Sequence, residues 1–317
     1  MTSRVGLVLG AGGLTGEAFH AGALAAITDV TGWDPRSSQL VVGTSAGSIV
    51  GTYLRLGISA DDLAAHLCHE QPSSSASELF DRMGPEAAFL PEGPRTWPRL
   101  PTPALLAAMV RGRVMPHAVL ASVLPAGRVP TDPWARRIRR MAGPGWPPEP
   151  LWICALRLGD ARRTVFGRAG APPVDVADAV AASCSIPSFF QPVEIGGRRY
   201  VDGGVHSPTN ADVLRHEALD LVIVLSPMST SRRILRLHPD HAVRWQFRYQ
   251  LAREAGHLRR AGLPVIAFQP DTGDLAAMRG NAMNPSRVEP VVRRVRASVA
   301  ERLRNGGHAE SLAGLAA

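Results

Sequence analysis

The stretch that decides the fold is Val41-Val42-Gly43-Thr44-Ser45-Ala46-Gly47-Ser48-Ile49-Val50. Its apolar, β-branched start predicts a buried strand, and its apolar end predicts a helix. The turn between them, Gly-x-Ser-x-Gly, has the pattern of a nucleophile elbow, in which Gly43 and Gly47 leave room for a strained Ser45. Such a turn presents the Ser45 hydroxyl at the carboxyl end of a strand and the amino end of a helix, where the helix dipole favours developing negative charge.

A glycine-rich segment, Gly10-Ala11-Gly12-Gly13-Leu14-Thr15-Gly16, lies upstream, between a strand predicted over 4–9 and a helix predicted from Glu17 to about Val30. Backbone amides of such a loop can hold an oxyanion, because no side chain blocks close approach. The competing interpretation is a dinucleotide-binding loop, which expects an acidic residue at the end of the second strand. That strand ends in Gly43-Thr44-Ser45. We therefore expect no dinucleotide cofactor.

A third motif, Asp202-Gly203-Gly204, follows a hairpin predicted over 193–195 and 199–201. A carboxylate within hydrogen-bond reach of a serine can act as its general base, and the glycines would let Asp202 turn toward it. The plainer interpretation is an aspartate in a β-turn, which is the commoner use of Asp-Gly.

In this order, the three motifs resemble those of the patatin-like phospholipases, as bacterial members of that family carry them. A further block supports the resemblance: Ala182-Ser183, Ile186-Pro187, Phe190 and Pro192. The resemblance covers roughly residues 4–226, except 71–150. It implies an α/β three-layer sandwich with a central, mostly parallel sheet. It also implies a Ser–Asp dyad without histidine, acting on phospholipids, lysophospholipids or other acyl esters without a metal or organic cofactor.

The resemblance assigns roles by position. Ser45 is then the nucleophile and Asp202 the general base. The oxyanion hole falls on Gly12, Gly13 and Leu14. The glycines that support the motifs are Gly10, Gly16, Gly43, Gly47, Gly203 and Gly204.

Two positions of the glycine-rich loop depart from the family pattern. Ala11 replaces a glycine, and Thr15 stands where the family usually has arginine or lysine. These departures motivate an alternative of another class, a non-catalytic lipid-binding or regulatory protein that has kept the fold. A second alternative is an ordinary Ser-Asp-His hydrolase, for which His206 is the nearest histidine after Asp202.

The length of 317 residues, 45% of them hydrophobic, predicts one α/β domain over 1–317. A proline-rich insertion or lid is predicted at 71–150, with short helices near 104–110, 117–124 and 134–141, and a C-terminal helical part at 227–317. No apolar run is long enough to span a membrane, and no signal-peptide pattern appears. Three scattered cysteines favour a reducing compartment. We therefore expect a cytoplasmic protein that can also lie peripherally at the membrane.

The formal net charge is +8, and all 35 basic residues are arginine. With 27 prolines and abundant alanine, this indicates a genome rich in G and C, so part of the basicity reflects codon bias. The charge favours contact with an anionic membrane. No nucleic-acid motif accompanies it, so no nucleic acid is expected. The absence of lysine excludes a catalytic lysine, and the sequence leaves the oligomeric state open.

Two further segments have two interpretations each. The helix predicted over 240–261 is either an amphipathic helix packed on the sheet with a solvated basic face, which we favour, or an interfacial helix drawn to anionic lipid. Arg136–Arg140 is a candidate membrane-facing patch. His66, Cys68 and His69 match no standard zinc spacing, and a helix surface is the better interpretation.

Overall fold

One eight-stranded sheet organises the described chain, which comprises residues 3–84, 124–231, 239–306 and Leu312 of a computed structural model. The strands are β1 (Val5–Leu9), β2 (Leu40–Gly43), β3 (Leu151–Arg157), β4 (Arg162–Phe166), β5 (Val193–Ile195), β6 (Arg198–Asp202), β7 (Leu221–Leu225) and β8 (Val265–Phe268). Their order is β5-β6-β3-β2-β1-β7-β8, and β4 also pairs with β3. The run from β3 through β2, β1 and β7 to β8 is parallel.

Helices cover both faces of the sheet. They are α1 (Gly13–Thr31), α2 (Ala46–Arg55), α3 (Ala60–Leu67), α4 (Ser74–Met83), α5 (Asp132–Ala142), α6 (Val176–Ser183), α7 (Pro239–Arg260), α8 (Thr272–Ala277) and α9 (Val288–Asn305). Helices α1, α2, α6 and α9 share one hydrophobic core with alternate residues of β1, β2 and β3, while α7 packs on the opposite face. This arrangement confirms the predicted three-layer α/β architecture.

The strand sequences explain their positions. Every residue of β1, β2 and β7 is buried, as expected for parallel strands with helices on both sides. By contrast, β4 to β6 are antiparallel neighbours of β3 or of each other, and β4 and β6 carry exposed arginines.

The strand β6 decides where Asp202 lies. Residues 153–157 of β3 pair with β4 along one edge. The other edge is shared: Ile153 pairs with Gly43 of β2, and Ala155 pairs with Asp202 of β6. Because β6 runs antiparallel toward β2, its last residue points at the carboxyl end of β2, where the elbow begins.

Several predicted boundaries need correction. Helix α1 begins at Gly13 rather than at Glu17, so the second half of the predicted glycine loop is helical. Gly13 enters the helix with φ 61°, a left-handed conformation that glycine adopts at little cost. Helices α4 and α8 were not predicted from the sequence. The last helix of the predicted C-terminal helical part is α9, and a 3-10 turn at Pro285–Arg287 precedes it.

Parts of the predicted lid can be compared with the structure. The helix predicted near 134–141 corresponds to α5, which packs against α4 and α6. The helices predicted near 104–110 and 117–124 lie outside the described residues, apart from position 124. The division into one domain with an inserted lid stays a prediction. Within the described ranges, no helix combines the length and hydropathy needed to cross a membrane.

The expected environment of α7 is only partly correct. Leu251, Ala255 and Leu258 are buried, as the helical spacing predicts, but Val243 is exposed. The guanidinium groups of Arg244 and Arg248 donate to carbonyls in the loop after β7, so they do not simply form a solvated basic face.

Candidate active site

Ser45 lies at the turn between β2 and α2, as the elbow pattern predicts. Its backbone has φ 52° and ψ −121°, and its side chain is only 6% exposed. A non-glycine residue in such a conformation costs about 1–3 kcal/mol, which the surrounding contacts must offset. The turn packs so closely on β1 that a side-chain carbon at Gly47 would collide with the Leu9 carbonyl. The sequence therefore needs glycine there.

Asp202 ends β6 beside this turn and is also 6% exposed. Its carboxylate accepts a hydrogen bond from the Gly204 amide at 2.7 Å, and the Ser45 hydroxyl lies near enough to influence its ionisation. Burial raises the pKa of Asp202 from 3.8 to about 6, although the Ser45 hydroxyl and the Gly204 amide oppose the rise. The structure thus brings together the serine and the aspartate that the sequence singled out.

The end of α6 holds both residues. The Ser45 amide donates to Ser183 Oγ at 2.9 Å, and the same hydroxyl donates to the Cys154 carbonyl at 2.7 Å. Two residues later, the Ser185 carbonyl accepts from the Asp202 amide at 2.9 Å. One short segment therefore fixes the backbone of the serine and of the aspartate relative to each other.

Asn210 ties the same two motifs from the other face of the sheet. Its side-chain amide donates to Thr44 Oγ1 at 3.1 Å, to the Ser207 carbonyl at 2.6 Å and, more weakly, to the Gly203 carbonyl at 3.4 Å. Asn210 is fully buried with φ 51°, a conformation that asparagine tolerates better than most residues. It links the residue before Ser45 to the residue after Asp202.

Glu254 of α7 holds the loop that carries Asn210. Its buried carboxylate accepts from Thr209 Oγ1 at 2.6 Å, from Ser207 Oγ and from the Ala211 amide. Burial is the main cause that raises the pKa of Glu254, and the nearby Asp212 adds to it. This polar network connects α7 to the back of the candidate site.

The glycine-rich loop lies between the two motifs. A side-chain carbon at Gly16 would lie 3.6 Å from Ala46 Cβ, and one at Gly204 would lie 3.2 Å from Ala11 Cβ. In the described part of the chain, no acceptor is bonded to the amides of the predicted oxyanion-hole residues Gly12, Gly13 and Leu14. These amides form the amino end of α1, where backbone donors are unsatisfied and the helix dipole favours negative charge.

The two unusual loop residues keep the backbone in place. The Ala11 amide donates to the Pro208 carbonyl at 2.8 Å, and the Thr15 amide donates to the Ala282 carbonyl at 3.1 Å. Thr15 is buried beneath this contact, so the loop presents no cation at that position. A nearby histidine, His20, lies in the core and bonds the Gly10 carbonyl at 2.7 Å. Burial lowers the pKa of His20 to about 4, which keeps its ring neutral.

His206, the candidate for a triad, is among the groups that lower the pKa of Asp212. The pKa of Asp202 is instead set by burial, the Ser45 hydroxyl and the Gly204 amide. The His66 ring stacks on Phe80 at 3.6 Å, and no cluster that could hold a metal appears in the ranges described.

Sequence reasoning missed the supporting residues. Ser183 was noted only as part of a family-like block, and Ser185, Asn210 and Glu254 were given no role. Serine and asparagine are common in turns and helix ends, so their types give no signal by themselves. Only the pairing of β6 with β3 shows that they converge on one site.

The chain is similar to a known protein family and to several solved structures. The chain matches the family described as patatin-like phospholipase over residues 7–215. Among solved structures, VipD from Legionella pneumophila is similar with 11% identity and a TM-score of 0.41, over 95% of this chain and 67% of VipD. The type III effector protein ExoU is similar with 15% identity and a TM-score of 0.36, over 95% of this chain and 53% of ExoU.

No curated protein matches the chain. The family match, however, covers well over half of the chain and includes all three motifs described above. The chain belongs to the patatin-like phospholipase family, which implies lipid acyl hydrolase activity.

Proposed function

We propose that this protein is a serine hydrolase of carboxylic esters, of phospholipase, lysophospholipase or esterase type, with a Ser45–Asp202 dyad. The observation that carries the proposal is the placement of Ser45, on its strained turn, beside the buried carboxylate of Asp202, close enough for the serine hydroxyl to lower the pKa of that carboxyl. A base with a pKa of about 6 is ionised at neutral pH yet basic enough to take a proton as the serine attacks.

The reaction proceeds in two stages. Ser45 Oγ attacks the ester carbonyl carbon while its proton passes to Asp202, and the alcohol then leaves with that proton. A water molecule, deprotonated by Asp202, attacks the acyl-enzyme; the bond to Ser45 Oγ then breaks, the proton passes from Asp202 back to Ser45, and the fatty acid is released. Amides of Gly12, Gly13 and Leu14 stabilise each tetrahedral oxyanion, and one such donor is typically worth about 10²–10³ in turnover.

Two features favour this proposal over the alternatives. The backbone amides at the oxyanion loop are retained despite Ala11 and Thr15, which argues against a fold kept only for lipid binding. The groups that lower the pKa of Asp202 are the Ser45 hydroxyl and the Gly204 amide, with no histidine among them, which favours a dyad over a Ser-Asp-His triad. The chemistry needs no metal or organic cofactor, and the proposed setting is the cytoplasm or the membrane surface.

The test is hydrolysis of a soluble p-nitrophenyl ester by three variants. Ser45→Ala and Asp202→Asn should lose at least about 10³-fold in kcat, with unchanged unfolding midpoints. His206→Ala should retain most of the wild-type rate. Full activity in Ser45→Ala would overturn the proposal, and a dead His206→Ala variant that is still folded would favour the triad.

A further inference from the structure

The large apolar side chains most exposed to solvent in the described ranges come from two segments. One is the turn after α6, where Ile186 is 36% and Phe189 48% exposed. The other is the first half of α7, where Trp245 is 52% and Tyr249 60% exposed, with Val243 nearby. Exposed aromatic residues grouped in this way mark a surface with a partner more often than a solvated face.

Both segments lie at the carboxyl end of the parallel strands, the end of the sheet that carries the candidate site. Ile186 directly follows Ser185, whose carbonyl accepts from the Asp202 amide. Helix α7 begins near the same end of the sheet, because the Arg244 guanidinium donates at 2.8 Å to the carbonyl of Pro227, two residues after β7 ends. It ends near the amino end of the parallel strands, where Arg259 donates to the Val265 carbonyl at the start of β8.

The α7 segment also borders the motifs directly. The Gln250 side chain donates at 2.8 Å to the carbonyl of His206, four residues after Asp202. Pro227 lies against the glycine loop, since a side-chain carbon at Gly12 would come within 3.0 Å of Pro227 Cβ. The two apolar segments therefore lie on opposite faces of the sheet but at the same end, on either side of Ser45.

The chemistry of the α7 segment suits a lipid headgroup region. From Ala242 to Arg253 the sequence contains three arginines and no acidic residue, and Arg244 and Arg248 keep their positive charge while they donate to the carbonyls of Pro227 and Thr230. The rings of Trp245 and Tyr249, one helical turn apart, stack with their centroids 6.5 Å apart. Tryptophan and tyrosine prefer the boundary between headgroups and acyl chains, and each arginine near an anionic surface is worth about 1 kcal/mol.

We propose that Trp245, Tyr249, Ile186 and Phe189 form a docking surface that seats the carboxyl end of the sheet on an anionic bilayer, with Ser45 facing the lipid. The inference rests on the proposed hydrolase function, because that function explains why a membrane should lie at this end. It adopts the second of the two interpretations given to this helix from the sequence, an interfacial helix drawn to anionic lipid.

Trp245 provides a direct probe of docking. In the non-hydrolysing Ser45→Ala protein, vesicles of phosphatidylcholine with phosphatidylglycerol and bromine-labelled acyl chains should quench tryptophan fluorescence. Trp245→Phe should remove most of that quenching. Trp146→Phe is the matched control and should retain the quenching, because Trp146 precedes β3 at the opposite end of the sheet and donates to the Val174 carbonyl. Quenching unaffected by Trp245→Phe would overturn the proposed orientation.

Affinity and activity complete the test. The double variant Trp245→Gln/Tyr249→Gln should bind these vesicles roughly tenfold or more weakly, because two partly buried aromatic rings are lost from the interface. Phe189→Ser should also weaken binding. The double variant should lower phospholipid hydrolysis in vesicles about tenfold more than hydrolysis of a soluble ester, the loss expected from its weaker binding.

The outcomes separate docking from catalysis. A wild-type protein that cleaves the soluble ester but binds no vesicles retains the proposed function and overturns the docking surface. One that binds vesicles through Trp245 but cleaves no ester retains docking and overturns the function. Wild-type dimers that dissociate in the double variant, with no vesicle binding, would assign the surface to a second copy of the chain.

Discussion

Because the Ser45 amide donates to Ser183 Oγ, we predict that the variant Ser183→Ala loses both stability and activity. The substitution removes the acceptor of the Ser45 amide and the donor to the Cys154 carbonyl, both in a fully buried place. A buried polar group left without a partner costs about 1–3 kcal/mol, so with two such groups the free energy of unfolding should fall by about 2–6 kcal/mol.

The kinetic effect should exceed what a loss of stability explains. The Ser45 backbone is strained by about 1–3 kcal/mol, comparable to the energy of the contact that is removed, so the turn should relax and displace the hydroxyl. A displacement near 1 Å can cost about 10²-fold in rate. We expect kcat on a soluble p-nitrophenyl ester to fall about 30–100-fold, with KM changed by less than about threefold.

Ser185→Ala is the matched control. Ser185 is as buried as Ser183 and lies two residues away, but its hydroxyl donates to the carbonyls of Ala181 and Gln191 and not to the Ser45 turn. It should lose stability in urea unfolding while keeping most of kcat. Equal kcat losses in the two folded variants, or an undiminished kcat in Ser183→Ala, would refute the positioning role.

Three further predictions address charge and support. Asp202 must be ionised to accept a proton, so kcat/KM should rise with pH through about 6 and then level off; a profile flat from pH 5 to 8 would contradict this role. Asn210→Ala should lower kcat about tenfold by releasing Thr44 from Gly203, whereas a structural role alone would lower only the unfolding midpoint. Burial raises the pKa of Glu17 from 4.5 to about 7. The contribution of Glu17 to the stability of the fold is therefore fully present below pH 4.5, where the carboxyl is neutral, and about 3 kcal/mol of it is lost as pH rises through 7. Glu17→Gln should therefore flatten the decline of the urea midpoint between pH 5 and pH 9, and an unchanged slope would contradict the assignment.

The sequence was sufficient for the parts of the fold that local patterns determine. The runs at 5–9, 40–43 and 221–225 are continuous apolar segments, and they form buried parallel strands as expected. The elbow was predictable because Gly-x-Ser-x-Gly is itself the signature of the turn, although only the requirement at Gly43, against Gly47 and Ser48, is local, and Gly47 is required by Leu9 of β1. The start of α1 was not, because glycine signals a loop while Gly13 uses its left-handed conformation to begin the helix.

The candidate site was predictable only in part. Ser45 and Asp202 were named from their motifs, but their contact depends on β6 entering the sheet beside β2, which no local pattern encodes. The roles of Ser183 and Asn210 depend on contacts across 138 and 166 positions of sequence. The exposure of Trp245 and Tyr249 was also hidden, since an amphipathic helix has the same spacing whether its outer face meets water or lipid.

The most direct test of the central claim is the intact mass of the protein after reaction with a fluorophosphonate, followed by mapping of the modified peptide. The account predicts one adduct per chain, on Ser45. The adduct should be absent in Ser45→Ala and should form far more slowly in Asp202→Asn. An adduct on another residue, or equal labelling of Ser45→Ala, would contradict Ser45 as the nucleophile, and undiminished labelling of Asp202→Asn would contradict Asp202 as its base.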